Sequence, residues 1–226
     1  MLTLLTATGC RPEAFALLER MMAAQTYAGE VRWVIVDDGE VAQPVTFSRP
    51  KWTLEVVRPE PFWKPGANTQ ARNLLAGLAS IHRSSRLLII EDDDHYASDW
   101  LEICNVHLDR ASLVGESMAK YYNVKMRVGR QLRNGQHASL CSSAMRDDAI
   151  EHLKRLCTPQ RKFIDIELWR TCRDRLLFSG SRVVGIKGMP GRGGIGMGHD
   201  PNFNGERDPS GALLRKWIGN HAEWYL

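Results

Sequence analysis

Arg86-Leu87-Leu88-Ile89-Ile90-Glu91-Asp92-Asp93-Asp94 decides how this chain is read. An apolar run of strand length passes, with no turn residue between, into four consecutive carboxylates. Such a run predicts a buried strand over 86–90, which leaves the acids just past its carboxyl end. Four neighbouring anions repel one another unless a cation or a cationic ligand neutralises them. Hard oxygen ligands suit Mg²⁺ or Mn²⁺, ions that keep open positions for phosphate oxygens. A solvated acidic turn is the plainer alternative, and the place of the acids after a buried strand weighs against it.

The same pattern extends toward the N-terminus. Residues 2–6 read as a buried strand, followed by Gly9-Cys10 and then Arg11-Pro12-Glu13. Proline at the first helical position with an acid beside it starts a helix, and Phe15, Leu18, Met21 and Met22 continue it at the spacing of one buried face. A second strand over 31–36 runs into Asp37-Asp38-Gly39, and a third covers 52–57. Helices are expected over 68–78 and, after the acids, over about 98–108. Strand and helix alternate, which predicts an α/β fold with a mostly parallel, Rossmann-like sheet flanked by helices. Ligands in such sheets bind beyond the carboxyl ends of the strands, so both acidic clusters are expected to converge on one site.

Downstream the pattern is less regular. One or two strands are expected over 113–128 with a turn at 129–135, helices over 147–156 and 164–172, and a strand over 182–186. A glycine-rich loop from Gly188 ends at His199, and a short helix over 212–218 closes the chain. No linker and no repeat interrupts residues 1–226, so one domain is expected. Arg192 and Lys187 are candidates to neutralise phosphate charge at the loop.

The composition is that of an ordinary globular protein, at 43% hydrophobic and 25% charged residues. The longest apolar runs are too short to span a membrane. Residues 1–9 carry no basic leader and no cleavage site, and read as a strand rather than a signal peptide. Five cysteines stand singly at Cys10, Cys104, Cys141, Cys157 and Cys172. An odd count without a C-x-x-C pair argues against a disulfide framework or a zinc ribbon, and predicts a reducing, cytoplasmic setting. The net charge of +4 suits a phosphorylated donor, an anionic surface or nucleic acid, and is also common in enzymes with none of these partners.

Five landmarks, in order, resemble the donor-binding half of the inverting GT-A glycosyltransferases, the family-2-like enzymes that use nucleotide-diphospho-sugars. They are Arg11-Pro12-Glu13, Gln25-Thr26-Tyr27, Val36-Asp37-Asp38-Gly39-Glu40, Ala71-Arg72-Asn73, and Ile89 to Asp94 with Tyr96, Asp99, Trp100 and Leu101. The resemblance implies a GT-A fold, with 1–110 as the nucleotide-sugar half and 111–226 as the acceptor half. It implies a UDP-type donor held by Thr8, Arg11, Asp38, Arg72, Glu91 and Asp92, with Asp38 on the base and Glu91 facing the ribose. Asp93 takes the metal-binding place of the family's Asp-x-Asp motif, for Mn²⁺ or Mg²⁺, and His199 is a further metal ligand by analogy with relatives that use a C-terminal histidine. Ile164-Asp165-Ile166-Glu167-Leu168-Trp169 resembles the family's acceptor-side motif, which makes Asp165 the catalytic base. Two departures stand out: Glu91 replaces the usual first Asp, and Gly9 stands where a Tyr often stacks on the base.

The acceptor stays open between two readings. One is a hydroxymethylated pyrimidine in phage DNA, which would place the enzyme in a host cytoplasm and require an extruded or single-stranded base. The other is a saccharide or lipid-linked saccharide. No partner protein is evident. Outside the class, a metal-dependent nuclease or phosphatase leaves Asp38 and the Ala-Arg-Asn motif unexplained, a nucleotidyltransferase would want more glycine in 6–12, and a degenerate binding module would not need Asp93 and Asp165.

Overall fold

The computed structural model describes residues 1–159, 161–194 and 196–226. β1 (Leu2–Thr8) is buried along almost its whole length, as a strand covered on both faces must be. In chain order it is followed by α1 (Pro12–Ala23), β2 (Val31–Asp37), β3 (Trp52–Val57), α2 (Gln70–Leu78) and β4 (Arg86–Ile89). β1 lies between β2 and β4 and is parallel to both, with Thr8 opposite Asp37 and Leu5 opposite Ile89. That register brings the carboxyl ends of the three strands to one edge, with both acidic clusters on it.

Beyond the acids come β5 (His95–Tyr96), α3 (Trp100–His107), β6 (Leu113–Glu116), β7 (Lys120–Asn123), β8 (Val128–Gln131), β9 (Ser143–Met145), α4 (Asp148–Leu156), α5 (Ile164–Thr171), β10 (Arg175–Phe178), β11 (Val183–Lys187), β12 (Glu206–Arg207) and α6 (Ala212–Ile218). The larger sheet has the order β10-β6-β9-β4-β1-β2-β3, and a smaller one runs β12-β8-β7-β11-β5. β9 is antiparallel to both its neighbours, β4 and β6, so the parallel sheet carries an antiparallel insertion.

The second half departs from the expectation of one or two strands over 113–128 and a turn at 129–135. Three short strands, β6, β7 and β8, occupy this stretch, and Gly129 lies inside β8. Its role is close packing rather than turning. A Cβ there would stand 2.5 Å from Leu213 Cδ2 and 3.0 Å from the Trp217 ring, so glycine lets α6 press against the strand.

Two cores cover the faces of the larger sheet. One is built on Phe15, Trp33 and Trp100, the other on Leu5, Val36, Leu87 and Trp169. Each fully buried side chain of this size contributes about 1.5–3 kcal/mol. The indole N–H of Trp33 donates to Thr6 Oγ1 at 2.9 Å, so its burial strands no polar group. A third cluster joins Tyr122, Val184 and Ile186 of the smaller sheet to Leu214 and Ile218 of α6. The five cysteines are unpaired, and only Cys10 is exposed. Among the described residues, no helix is long and apolar enough to cross a membrane.

Candidate active site

The acid motif sits at the junction of the two sheets. The Ile90 N–H still donates to Leu5 O of β1 at 3.0 Å, after which the chain turns away into β5 of the smaller sheet. This turn fans the four carboxylates toward different partners. Asp92 faces β1: Thr8 Oγ1 donates to it at 2.7 Å, and Arg11 Nη1 donates to its other oxygen at 2.7 Å. Asp93 lies among three cationic or potentially cationic groups, with Lys187 Nζ 3.2 Å from Oδ1, and Arg11 Nη1 and His199 Nε2 3.3 and 3.4 Å from Oδ2. Asp94 is fully buried. Its Oδ1 accepts from Lys187 Nζ at 2.6 Å and from the Ile186 N–H at 3.1 Å, while Oδ2 has no partner among the described residues. Glu91 accepts from Gln70 Nε2 at 3.2 Å and stands 3.7 Å from Lys187 Nζ.

These surroundings split the acids electrostatically. Burial works to raise the Asp93 carboxyl, but Lys187, Arg11 and His199 together outweigh it and hold Asp93 well below the usual carboxylate range. Burial and the neighbouring Asp94 push Glu91 up to about 8, against the pull of Lys187. Burial also raises Asp94. Asp93 is thus held ionised at neutral pH, and Glu91 is the acid pushed toward its protonated form.

Asp38, at the end of β2, is fully buried. Arg192 Nη1 and Arg72 Nη2 donate to its two oxygens at 2.6 and 3.1 Å. The main chain crosses it closely: at Gly9 (φ +146°) a Cβ would stand 2.5 Å from Asp38 Oδ1. A side chain larger than glycine's hydrogen is thus excluded where family members place a Tyr, and the aromatic group nearby is Trp63. The Trp63 backbone N–H donates to Asp38 O at 2.7 Å, its indole N–H donates to Ala67 O at 2.9 Å, and the Arg192 guanidinium lies over its ring at 4.8 Å.

The glycine-rich loop folds down onto this edge. Gly191 (φ +96°) would carry a Cβ 2.3 Å from Cys10 O, so only glycine allows the approach. The Arg192 N–H donates to Cys10 O at 3.2 Å, and Arg11 Nε donates to Arg192 O at 2.7 Å. The Gly194 N–H donates to His199 Nδ1 at 3.2 Å, so the ring proton sits on Nε2 and points at Asp93; binding a metal through Nε2 would require that bond to Gly194 to be given up. Lys187 departs from the expected phosphate-facing role, because its ammonium is buried among carboxylates before the loop begins.

Asp165 occupies the first turn of α5, after Phe163 in a left-handed conformation (φ 55°, ψ 47°). Burial raises its carboxyl, opposed by the Ile166 N–H and by His137. Glu167 pairs with Arg170 at 2.6 Å on the outer face of the helix. A cavity of about 270 Å³ is lined by Thr8, Arg11, Glu91, Asp92, Asp93, His199 and Asp165 together, whereas Asp38 and Arg72 lie behind its wall. The cavity also meets Lys187, Cys141 and the exposed Phe163. No local motif marks these three, since what places them is packing between segments distant in the chain.

No protein-family model and no curated protein matches the sequence. Solved structures match in three dimensions. The crystal structure of S. aureus TarS superposes with a TM-score of 0.60 at 14% identity, over 82% of this chain and 36% of that one. TarS 1–349 in complex with UDP-GlcNAc gives 0.55 at 15% identity, over 86% of this chain and 60% of that one. TarS 1–349 in complex with UDP gives 0.56 at 13% identity, with 82% and 60% covered. The fold is GT-A. At these identities the likeness establishes architecture, and the chain spans between about a third and three-fifths of the TarS chains it matches.

On this GT-A scaffold two sets of atoms suit a divalent cation. Glu91, Asp94 and Cys141 each bring a ligand atom within 4.8 Å of the others, a group of one half-buried acid, one buried acid and a buried thiol with the capacity to coordinate a metal. Asp93 Oδ2 and His199 Nε2 are 3.4 Å apart, and two ligands each about 2.1 Å from one ion stand roughly 3.0–3.4 Å apart. The second pair is the better placed for an exchangeable ion. Both its residues line the cavity, whereas Asp94 does not, and Lys187 lies on the other oxygen of Asp93 as well as on Asp94 and Glu91.

Proposed function

We propose that the chain is an inverting glycosyltransferase that moves a sugar from a UDP-type nucleotide sugar to a hydroxyl of a saccharide acceptor. The observation that carries this reading is the single cavity joining the acid motif, at the ligand edge of the parallel sheet, to Asp165 on α5. Matching TarS structures were solved in complex with UDP and with UDP-GlcNAc, which supports the donor class.

Arg11 and Arg192 bring positive charge to the cavity wall where a donor diphosphate would lie, with Arg72 held behind it through Asp38. Asp93 and His199 are the residues that would hold Mn²⁺ or Mg²⁺, and the bound ion would neutralise charge on the leaving diphosphate. Asp165 takes the proton of the acceptor hydroxyl as its oxygen bonds to the anomeric carbon. The bond from that carbon to the diphosphate oxygen breaks in the same displacement, so the anomeric configuration inverts. Burial, by raising the Asp165 carboxyl, makes it a stronger base than an exposed aspartate.

A saccharide acceptor fits the cavity mouth. Phe163, 60% exposed, and Ile166, 47% exposed, flank Asp165, while Asn134 and His137 line the same cavity. An apolar face with a few polar groups at its edge matches a pyranose ring, whose C–H face packs on an aromatic side chain while its hydroxyls find partners around it.

The test is incubation with Mn²⁺ and a panel of labelled nucleotide sugars, offering saccharides and hydroxymethylated DNA as separate acceptors. Labelled saccharide with inverted configuration is expected. Transfer to DNA alone would move the acceptor to the other class, and no release of nucleotide diphosphate from any donor would refute the activity.

A further inference from the structure

Lys187 presents an energetic puzzle. Its side chain is 5% exposed, and its ammonium lies 2.6 Å from Asp94, 3.2 Å from Asp93 and 3.7 Å from Glu91. Burying an ammonium is costly unless carboxylates surround it, and burying so many carboxylates is costly without a cation. Two of these carboxylates, Glu91 and Asp94, belong with Cys141 to the set of ligand atoms lying within 4.8 Å of one another. The second oxygen of Asp94, Oδ2, is fully buried and has no hydrogen-bond partner among the described residues. The group therefore has the ligand atoms, the unsatisfied acceptor and the charge of a cation site, and the cation beside it is an amino-acid side chain.

We infer that Lys187 is a built-in cation: its ammonium takes the place of a metal ion in the Glu91–Asp94–Cys141 group, and removing it uncovers a latent divalent-metal site there. Lys187 comes from the end of β11, and the Ile186 N–H donates to the same Asp94 oxygen at 3.1 Å. The strand thus delivers its backbone and its ammonium to one carboxylate, a fixed arrangement rather than a passing surface pair. The consequence is a division of labour within the acid motif. Lys187 permanently serves Asp94, the Oδ1 side of Asp93 and Glu91, and only Asp93 Oδ2 with His199 is left as the position for an exchangeable ion. This inference does not need the glycosyl-transfer reading to hold, since it concerns the inner group alone.

The uncovered group would offer two hard oxygens and one soft sulfur, a mixed set suited to Zn²⁺ or Co²⁺ rather than Mg²⁺. Co²⁺ is the informative probe, because a cobalt–thiolate bond gives a near-ultraviolet charge-transfer band that carboxylate and imidazole ligation does not. Co²⁺ is titrated, without nucleotide, into the full chain and into Lys187→Ala and Lys187→Arg. Lys187→Ala is expected to develop the thiolate band and to bind one further equivalent, with affinity at least about tenfold above any binding to the same group in the parent, because a neighbouring positive charge is gone. Adding Cys141→Ser should abolish the band. Lys187→Arg, which keeps the charge, should show none.

A thiolate band in the parent protein would overturn the inference, and that measurement does not depend on any variant folding. A folded Lys187→Ala protein with neither the band nor the extra equivalent would overturn it as well. Nucleotide-dependent Mn²⁺ binding, read in parallel from the Mn²⁺ electron paramagnetic resonance signal, reports on Asp93 and His199. A failure there would strike the proposed donor site and leave the inner-group inference standing.

Discussion

Replacing Asp165 by asparagine separates catalysis from folding in a way that the structure makes quantitative. Among the described residues no side chain donates a hydrogen bond to this carboxylate, and its aids are the backbone N–H groups of Asp165 and Ile166. An asparagine oxygen can accept the same bonds, so Asp165→Asn should keep the shape of α5 while removing the proton acceptor. General-base contributions of about 10²–10⁴ correspond to roughly 2.7–5.4 kcal/mol of lost transition-state stabilisation. The loss should fall on kcat, with donor affinity unchanged, because the donor contacts come from the acid motif and the loop. Stability should move the other way. Burial raises the Asp165 carboxyl in the folded protein, so the fold binds more protons than the unfolded chain, and stability falls as pH rises through the unfolded and then the folded pKa. Asparagine avoids that cost. The variant should melt at the same temperature as the parent or higher at pH 7, with any advantage gone below about pH 4, near the unfolded aspartate value. Steady-state kinetics with calorimetric donor binding, and thermal melts at both pH values, test the pair. A variant with parental kcat would remove Asp165 from the mechanism, and one that melts well below the parent at pH 7 would show that its carboxylate is structural.

Three other outcomes are expected. Chelation should abolish transfer, and Asp93→Asn should abolish nucleotide-dependent Mn²⁺ binding in a folded protein; full activity in chelator would remove the metal from the site. Asp38→Asn should lower the unfolding free energy in urea by about 2–3 kcal/mol. This lies at or below the low end for breaking a buried ion pair, since Arg192 and Arg72 retain 14% and 29% exposure and can rehydrate; a change under about 0.5 kcal/mol would make the Asp38 pairs incidental. Arg192→Ala should raise amide hydrogen exchange across 188–199 and weaken donor binding about tenfold, as expected for losing charged hydrogen bonds that dock the loop; unchanged exchange would refute the docking role.

The first half of the chain was largely legible before its structure. Alternating buried strands and amphipathic helices state their own type, since burial on both faces favours a mostly apolar run such as residues 87–90 or the Leu and Ala positions of β1. The parallel order then sends every strand's carboxyl end to one edge, so both acidic clusters could be assigned to that edge from pattern alone, while only the second of them lines the cavity. The second half was not legible in the same way. Its strands run to between two and five residues, too short for a period to emerge, and Gly129 resembled a turn while serving as a packing surface for α6. The partners of the acids lay further out of reach. Arg192 is 154 residues from Asp38, and Lys187 is 93 from Asp94. A sequence shows that four carboxylates need cations. Which cation answers each one depends on where distant strands and a glycine-rich loop come to rest, and that is a property of tertiary packing.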